Sequence, residues 1–157
     1  MTDIKQRDSK IRNELTRLAL EHGGELQPRA VVDAARAEDS PLHDSFDWND
    51  TSAAEKFRLA QARSLIRAVV TYEELGNKLI ESRVFVSLTS DRDTDGAGYR
   101  LTTNVMSDDV QRQQMLTDAM VEMQRFKEKY RRLTELAKVF AAMEDVEVEA
   151  SPQAVRA

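Results

Sequence analysis

LTDAMVEMQRFKEKYRRLTELAKVF, residues 116–140, is the stretch on which the fold turns. In it Leu116, Ala119, Met123, Phe126, Tyr130, Leu133, Ala137 and Phe140 alternate at spacings of three and four. A heptad stripe held for about four repeats is a helix-packing surface. One helix cannot cover such a stripe with itself, so the spacing predicts a long C-terminal helix paired with a second copy, in a dimer or higher homo-oligomer. Burying a few large apolar side chains at roughly 1.5–3 kcal/mol each gives on the order of 10 kcal/mol before ordering costs. Beside the seam, Arg125, Lys127, Lys129, Arg131 and Arg132 alternate with Glu122, Glu128 and Glu135. Mixed charge of that kind belongs on the outside of a coiled coil. Met106, Met115, Met120, Met123 and Met143 read as adaptable packing.

Upstream, Ser107 is placed to cap this helix, with Asp108 and Asp109 at its positive end. It is expected to run to about Met143, a length of about 55 Å. The tail from Asp145 has no buried period and is expected to be disordered. Before the helix, Val84–Thr89 reads as a strand and Tyr99–Val105 as its antiparallel mate, joined by the turn-rich SDRDTDGAG. Val69–Tyr72 is either a short strand or the end of a preceding helix. That third helix is expected to follow a Ser52–Glu55 capping box and to run to about Arg67, with Ala54, Phe57, Leu65 and Ile66 inward. Pro28 suits the first turn of a second helix that buries Ala30, Val31, Ala34 and Ala35 and fades near Arg36. Ile4, Ile11, Leu15 and Leu18 share one face of a first helix, closed by His22-Gly23-Gly24. Between helices two and three, Leu42, Phe46 and Trp48 look like plugs that pin an acidic connection to the core.

Composition sets the limits. The chain has 157 residues, 41% hydrophobic and 32% charged but only 6% aromatic, which suits a helical domain better than a β-sandwich. Net charge is −5, giving no global attraction to nucleic acid or anionic lipid, though a local basic face is compatible with it. Cysteine is absent, which excludes disulfides, thiolate metal sites and cysteine nucleophiles. The start, MTDIKQRDSK, lacks a hydrophobic signal core and no apolar run reaches transmembrane length, so the default is a cytoplasmic protein without membrane contact.

Three patterns bear on chemistry. Asp91-Arg92-Asp93-Thr94-Asp95-Gly96 matches the first half of a calcium loop, but position twelve is Thr102 and no helices flank it, so it reads as an acidic turn. Glu38, Asp39, His43, Asp44, Asp47 and Asp50 gather around Phe46 and Trp48. One histidine among aspartates is a turn device more than a hydrolytic metal site. Ser40, His43 and Asp44 stand too close in sequence for a nucleophilic triad. No catalytic residue, metal or cofactor is therefore expected. The third pattern is the element order, three helices and then a hairpin, which is that of a winged helix-turn-helix. Lys56, Arg58, Gln61, Arg63 and Arg67, with Ser64, would then reach double-stranded DNA from the third helix. The roughly fourteen-residue second connection and the acids Asp91, Asp93 and Asp95 in the wing count against it.

Gly23, Gly24, Leu26 and Pro28, then Ser40-Pro41-Leu42-His43, then Phe46, Trp48 and Asp50, are followed by Arg58, Gln61, Ala62, Arg63, Leu65, Ile66 and Arg67 and by Gly98-Tyr99-Arg100. The pattern covers most of the chain and resembles small phage and prophage proteins of unassigned function. The resemblance implies a phage origin and transfers no catalytic residue.

The expected architecture is mainly α with a small antiparallel β-hairpin. A helical, HTH-like unit spans 1–67, a hairpin region 68–106, a long coiled-coil-like oligomerisation helix 107–144 and a disordered tail 145–157. The expected function is a non-enzymatic, DNA-associated regulatory or architectural role as an oligomer. The competing expectation is an assembly component that binds a host or phage protein without DNA.

Overall fold

In the computed structural model, residues 2–48, 54–92 and 98–150 are described. Helix α1 (Thr2–Glu21) turns Ile11, Leu15, Leu18 and Ala19 into the core; the side chain of Ile4 lies outside the described residues. It ends as its glycines require. Gly24 N–H donates to Ala19 O at 2.7 Å and Gly23 N–H to Leu20 O at 3.3 Å, the double closure of a Schellman cap. Both glycines are left-handed, with φ of 68° and 91°. His22 Nδ1 lies 2.7 Å from Leu18 O, so its ring also serves the carbonyl end of the helix.

Strand β1 (Glu25–Leu26) follows directly, then α2 (Pro28–Ala35), which buries Pro28, Val31, Val32 and Ala35. The connection after α2 holds a 3-10 turn at His43–Ser45, with Leu42 and Phe46 buried and Trp48 half-buried as plugs. Helix α3 (Ala54–Ala68) buries Arg58, Ala62 and Ile66, while Phe57 is 55% exposed. This corrects the expected inward face. Ala62 and Ile66 set the seam, and the residue one turn before them on that face is Arg58; Phe57 is rotated about 100° away.

Next comes an antiparallel hairpin of β2 (Val70–Leu75) and β3 (Lys78–Arg83), in register from Val70↔Arg83 to Leu75↔Lys78. Its two-residue turn, Gly76-Asn77, has Gly76 at φ 62°. Val70–Tyr72 thus resolves as strand, Val69 standing just before it, with a partner that the charged KLIESR segment conceals. β4 (Phe85–Val86) and β5 (Tyr99–Leu101) are much shorter than the expected strands. A helical turn, α4 (Thr89–Arg92), interrupts the first, and α5 (Thr102–Ser107) replaces the end of the second. Asp91 explains the first interruption: its Oδ2 accepts from Leu88 N–H at 3.1 Å, the back-bond of a capping box. The three-stranded sheet has the order β1-β5-β4, all antiparallel.

Helix α6 (Asp109–Tyr130) is capped by Asp108, one residue later than expected. The Asp108 Oδ1 accepts from Gln111 N–H at 2.9 Å. The chain divides into two units, Met1–Arg112 and Gln113–Ala157, so the strands belong with the first three helices.

The second unit departs most from expectation. The long helix stops at Tyr130. A turn through Arg131–Leu133 and a 3-10 segment, Thr134–Leu136, lead into α7 (Ala137–Ala150). In a continuous helix Phe126 and Phe140 would stand about 21 Å apart. Here their ring centroids are 6.3 Å apart, Phe126 also meets Tyr130 at 4.9 Å, and Lys127 pairs with Glu144. The seam therefore doubles back on itself as an αα-hairpin. The physical cause is that folding back gives Phe126 a partner, Phe140, within the chain. The segment 145–150, expected to be disordered, is helical; 151–157 lie outside the described residues. Among the described residues, no helix is long and apolar enough to cross a membrane.

Candidate nucleic-acid interface

Helix α3 sorts the five expected contact residues into two faces. Lys56, Ala60, Arg63 and Arg67 follow the i, i+4, i+7, i+11 rule of a single stripe about 16 Å long. Lys56 and Arg67 are exposed and Arg63 is half-buried. None of the three cations makes an ion pair among the described residues. Ser64 stands exposed beside the stripe.

Arg58 and Gln61 sit on the other face and are corrected here. Arg58 is 4% exposed; its guanidinium donates to Asp47 O at 3.3 Å and meets Glu55 Oε2 at 3.4 Å. It also lies 5.6 Å from the centre of the Trp48 ring. Gln61 Oε1 accepts from Asp47 N–H at 3.5 Å. Both residues hold the α2–α3 connection against α3 instead of facing solvent.

That connection is organised around Trp48. Its ring stacks on His43 with centroids 5.2 Å apart and 16° between planes, and its Nε1–H donates to His43 O at 3.1 Å. Arg36 approaches the ring from α2 at 5.7 Å, so two guanidiniums flank one indole. His43 Nδ1 is itself tied to Ala35 O at 3.0 Å. These bonds make the acidic loop a structural plug. Among the described residues no group of carboxylates and imidazoles could hold a metal; Asp50 lies outside them.

Sequence reasoning passed over two further cations. Arg29 and Arg36, seven apart on the outer side of α2, reach Glu55 at 3.5 and 3.6 Å. With Arg58, three guanidiniums converge on one carboxylate, and Arg29 and Arg36 remain more than half exposed. The signal was available: an i, i+7 pair of arginines on one line of the helix, turned away from the buried Val31. Ser52, the other half of the expected capping box, lies outside the described residues.

Of the three acids expected to repel phosphate, Asp91 lies among the described residues. Asp91 is buried and Arg100 grips it with both Nε and Nη2, the latter at 2.6 Å from Oδ1. Arg100 Nη1 also reaches Glu25 at 2.9 Å. The Asp91 hydrogen bond, with Glu25 nearby, holds the Arg100 pKa above its ordinary value against the cost of burial. Asp91 is thus a strut, paired with Arg100, that ties β5 to the α4 turn. Asp93–Gly96 lie outside the described residues.

A cleft of about 520 Å³ lies between α1, the end of α3 and β2, lined by Asp8, Ile11, Arg12, Leu65, Val69 and Tyr72 among others. Leu65 projects about 180° from Lys56 around the α3 axis, so this cleft lies away from the cationic stripe.

No family model matches the chain, and no curated protein or solved structure shows significant similarity to it.

Proposed function

We propose that this chain is a non-enzymatic, DNA-associated phage protein, regulatory or architectural, that works as an oligomer. The observation that carries the reading is the stripe of Lys56, Arg63 and Arg67 on α3, unpaired among the described residues. The sheet order supports it: a strand between the first two helices pairs with the strand that returns after the wing, as in a winged helix-turn-helix. In that arrangement the third helix enters the major groove and the wing lies along the backbone. The inserted β2–β3 hairpin and the long α2–α3 connection are embellishments on it. The resemblance to phage proteins sets the biological context of the proposal.

With net charge −5, contact depends on this local stripe, so binding should be strongly salt-dependent. Fluorescence anisotropy on a labelled 30-mer duplex tests it. Three phosphate contacts per chain give a log–log salt slope of about −3, and each of Lys56→Gln, Arg63→Gln and Arg67→Gln should reduce it by about 1. Failure of the wild-type chain to bind duplex DNA even at low salt would remove the DNA reading.

The competing reading, a component that engages a host or phage protein without DNA, draws on Phe57. This aromatic is 55% exposed beside the stripe. Under that reading Phe57→Ser abolishes partner capture while the three glutamine variants leave it intact.

A further inference from the structure

The αα-hairpin of the second unit has a charge layout that its fold alone does not require. Between residues 125 and 138, around the bend, six Lys or Arg stand against two Glu. The segments 113–124 and 139–148, which form the open end, hold five acids and neither Lys nor Arg. Folding back at Arg131–Leu136 turns this linear pattern into two poles, one cationic at the bend and one anionic at the open end. The Lys127–Glu144 ion pair marks the boundary between them.

The same hairpin leaves its apolar seam half open. Met123, Tyr130 and Phe140 are half-buried, whereas Leu116, Phe126 and Leu133 on α6 and the following turn, and Val139 and Val146 on α7, are 39–47% exposed. No residue assigned to α6 is buried, among those described. Two helices alone make too thin a layer to bury a core; four make one.

We infer that a second copy of this chain covers the open seam, with the two hairpins antiparallel about a two-fold axis. Charge complementarity chooses both the occupant and its orientation. In an antiparallel pair the cationic bend of each copy meets the anionic open end of the other. In a parallel pair like poles meet at both ends. A two-fold axis makes the surface self-complementary and closes the assembly at two chains. The result is a four-helix bundle built from one intrachain and one interchain helix pairing. This deepens the oligomeric part of the reading above and does not depend on DNA contact.

The test uses the full chain without DNA. Analytical ultracentrifugation should give a particle of twice the 17.9 kDa chain mass, and added salt should weaken it. Four exposed residues allow the poles to be discharged: Arg132→Glu with Lys138→Glu brings the bend from a net +4 to 0, and Glu122→Lys with Asp145→Lys brings the open end from −5 to −1. Each double variant alone should self-associate roughly tenfold or more weakly than wild type, since strongly opposite charges no longer face each other. An equimolar mixture of the two should recover a heterodimer, which also shows that both variants fold. A wild-type chain that stays monomeric at high concentration overturns the inference. So do discharged variants that dimerise as tightly as wild type, or a mixture that fails to associate.

Discussion

Gly24 carries two constraints at once, and the contrast with Gly76 separates them. Both are left-handed, at φ 91° and 62°. At Gly76 an added Cβ meets open space, whereas at Gly24 it would stand 2.1 Å from Asn104 Nδ2. Gly76→Ala should therefore cost about 1 kcal/mol, the left-handed penalty alone. Gly24→Ala should cost somewhat more, about 1–3 kcal/mol, because the Asn104 amide at the end of its side chain must also swing aside. Urea unfolding of the two variants measures the difference, and equal costs would refute the contact with Asn104. On α1, hydrogen bonding to Arg17 holds the Glu14 carboxyl below its ordinary 4.5. A depressed folded pKa means that the ion pair stabilises above the unfolded pKa and that this contribution is lost as pH falls through the folded one. Glu14→Gln should accordingly unfold at lower urea than wild type near neutral pH and converge with it in acid. A gap that persists below pH 3 would assign the effect to something other than charge. The Gly23-Gly24 cap was fully legible in the sequence, because chain chirality alone demands glycine there. The clash partner Asn104 was not, because it arrives from eighty residues away.

At the scale of elements, the break after Tyr130 separates what periodicity can say from what it cannot. Heptad spacing specifies which residues share a face of one helix: Phe126 meets Tyr130 one turn on, while Phe140 reaches Phe126 only because the chain folds back. It does not specify whether the partner lies on another chain or later in the same one, since the same stripe serves both. A cysteine-free chain makes the distinction measurable. A Lys127→Cys, Glu144→Cys double variant treated with a short bis-maleimide should crosslink within one chain, because the two parent side chains touch. In an unbroken helix the pair would stand about 25 Å apart and no internal crosslink could form. The β2–β3 hairpin shows the reverse failure. Its Gly76-Asn77 turn is a recognised two-residue hairpin signal. The flanking KLIESR is nearly all exposed, so it carries no apolar alternation by which a strand would be read.

For the whole molecule, stability and recognition fall on different residues of the same helix. Arg58 is an interior strut and Lys56, Arg63 and Arg67 are the exposed stripe, so their losses should read out differently. Arg58→Ala should lower unfolding free energy by about 2–4 kcal/mol, through the broken Glu55 and Asp47 contacts and the lost ring contact. It should leave the salt slope of DNA binding unchanged. Lys56→Gln, Arg63→Gln and Arg67→Gln should do the opposite, changing the slope with little effect on stability. A normal urea midpoint in Arg58→Ala with a reduced slope would return that residue to the interface. The sequence by itself determined the mainly helical composition, the glycine closure of α1, the proline start of α2, and the plugs at Leu42, Phe46 and Trp48. Each of those follows from local sterics or from side-chain periodicity, which act over a few turns of chain. Only the tertiary structure decided that Arg58 turns inward, that Asp91 is neutralised by Arg100, and that the seam folds back on itself. Those outcomes depend on which distant segment arrives to solvate a charge or cover an apolar face, and neither charge nor hydropathy along the chain encodes that arrival.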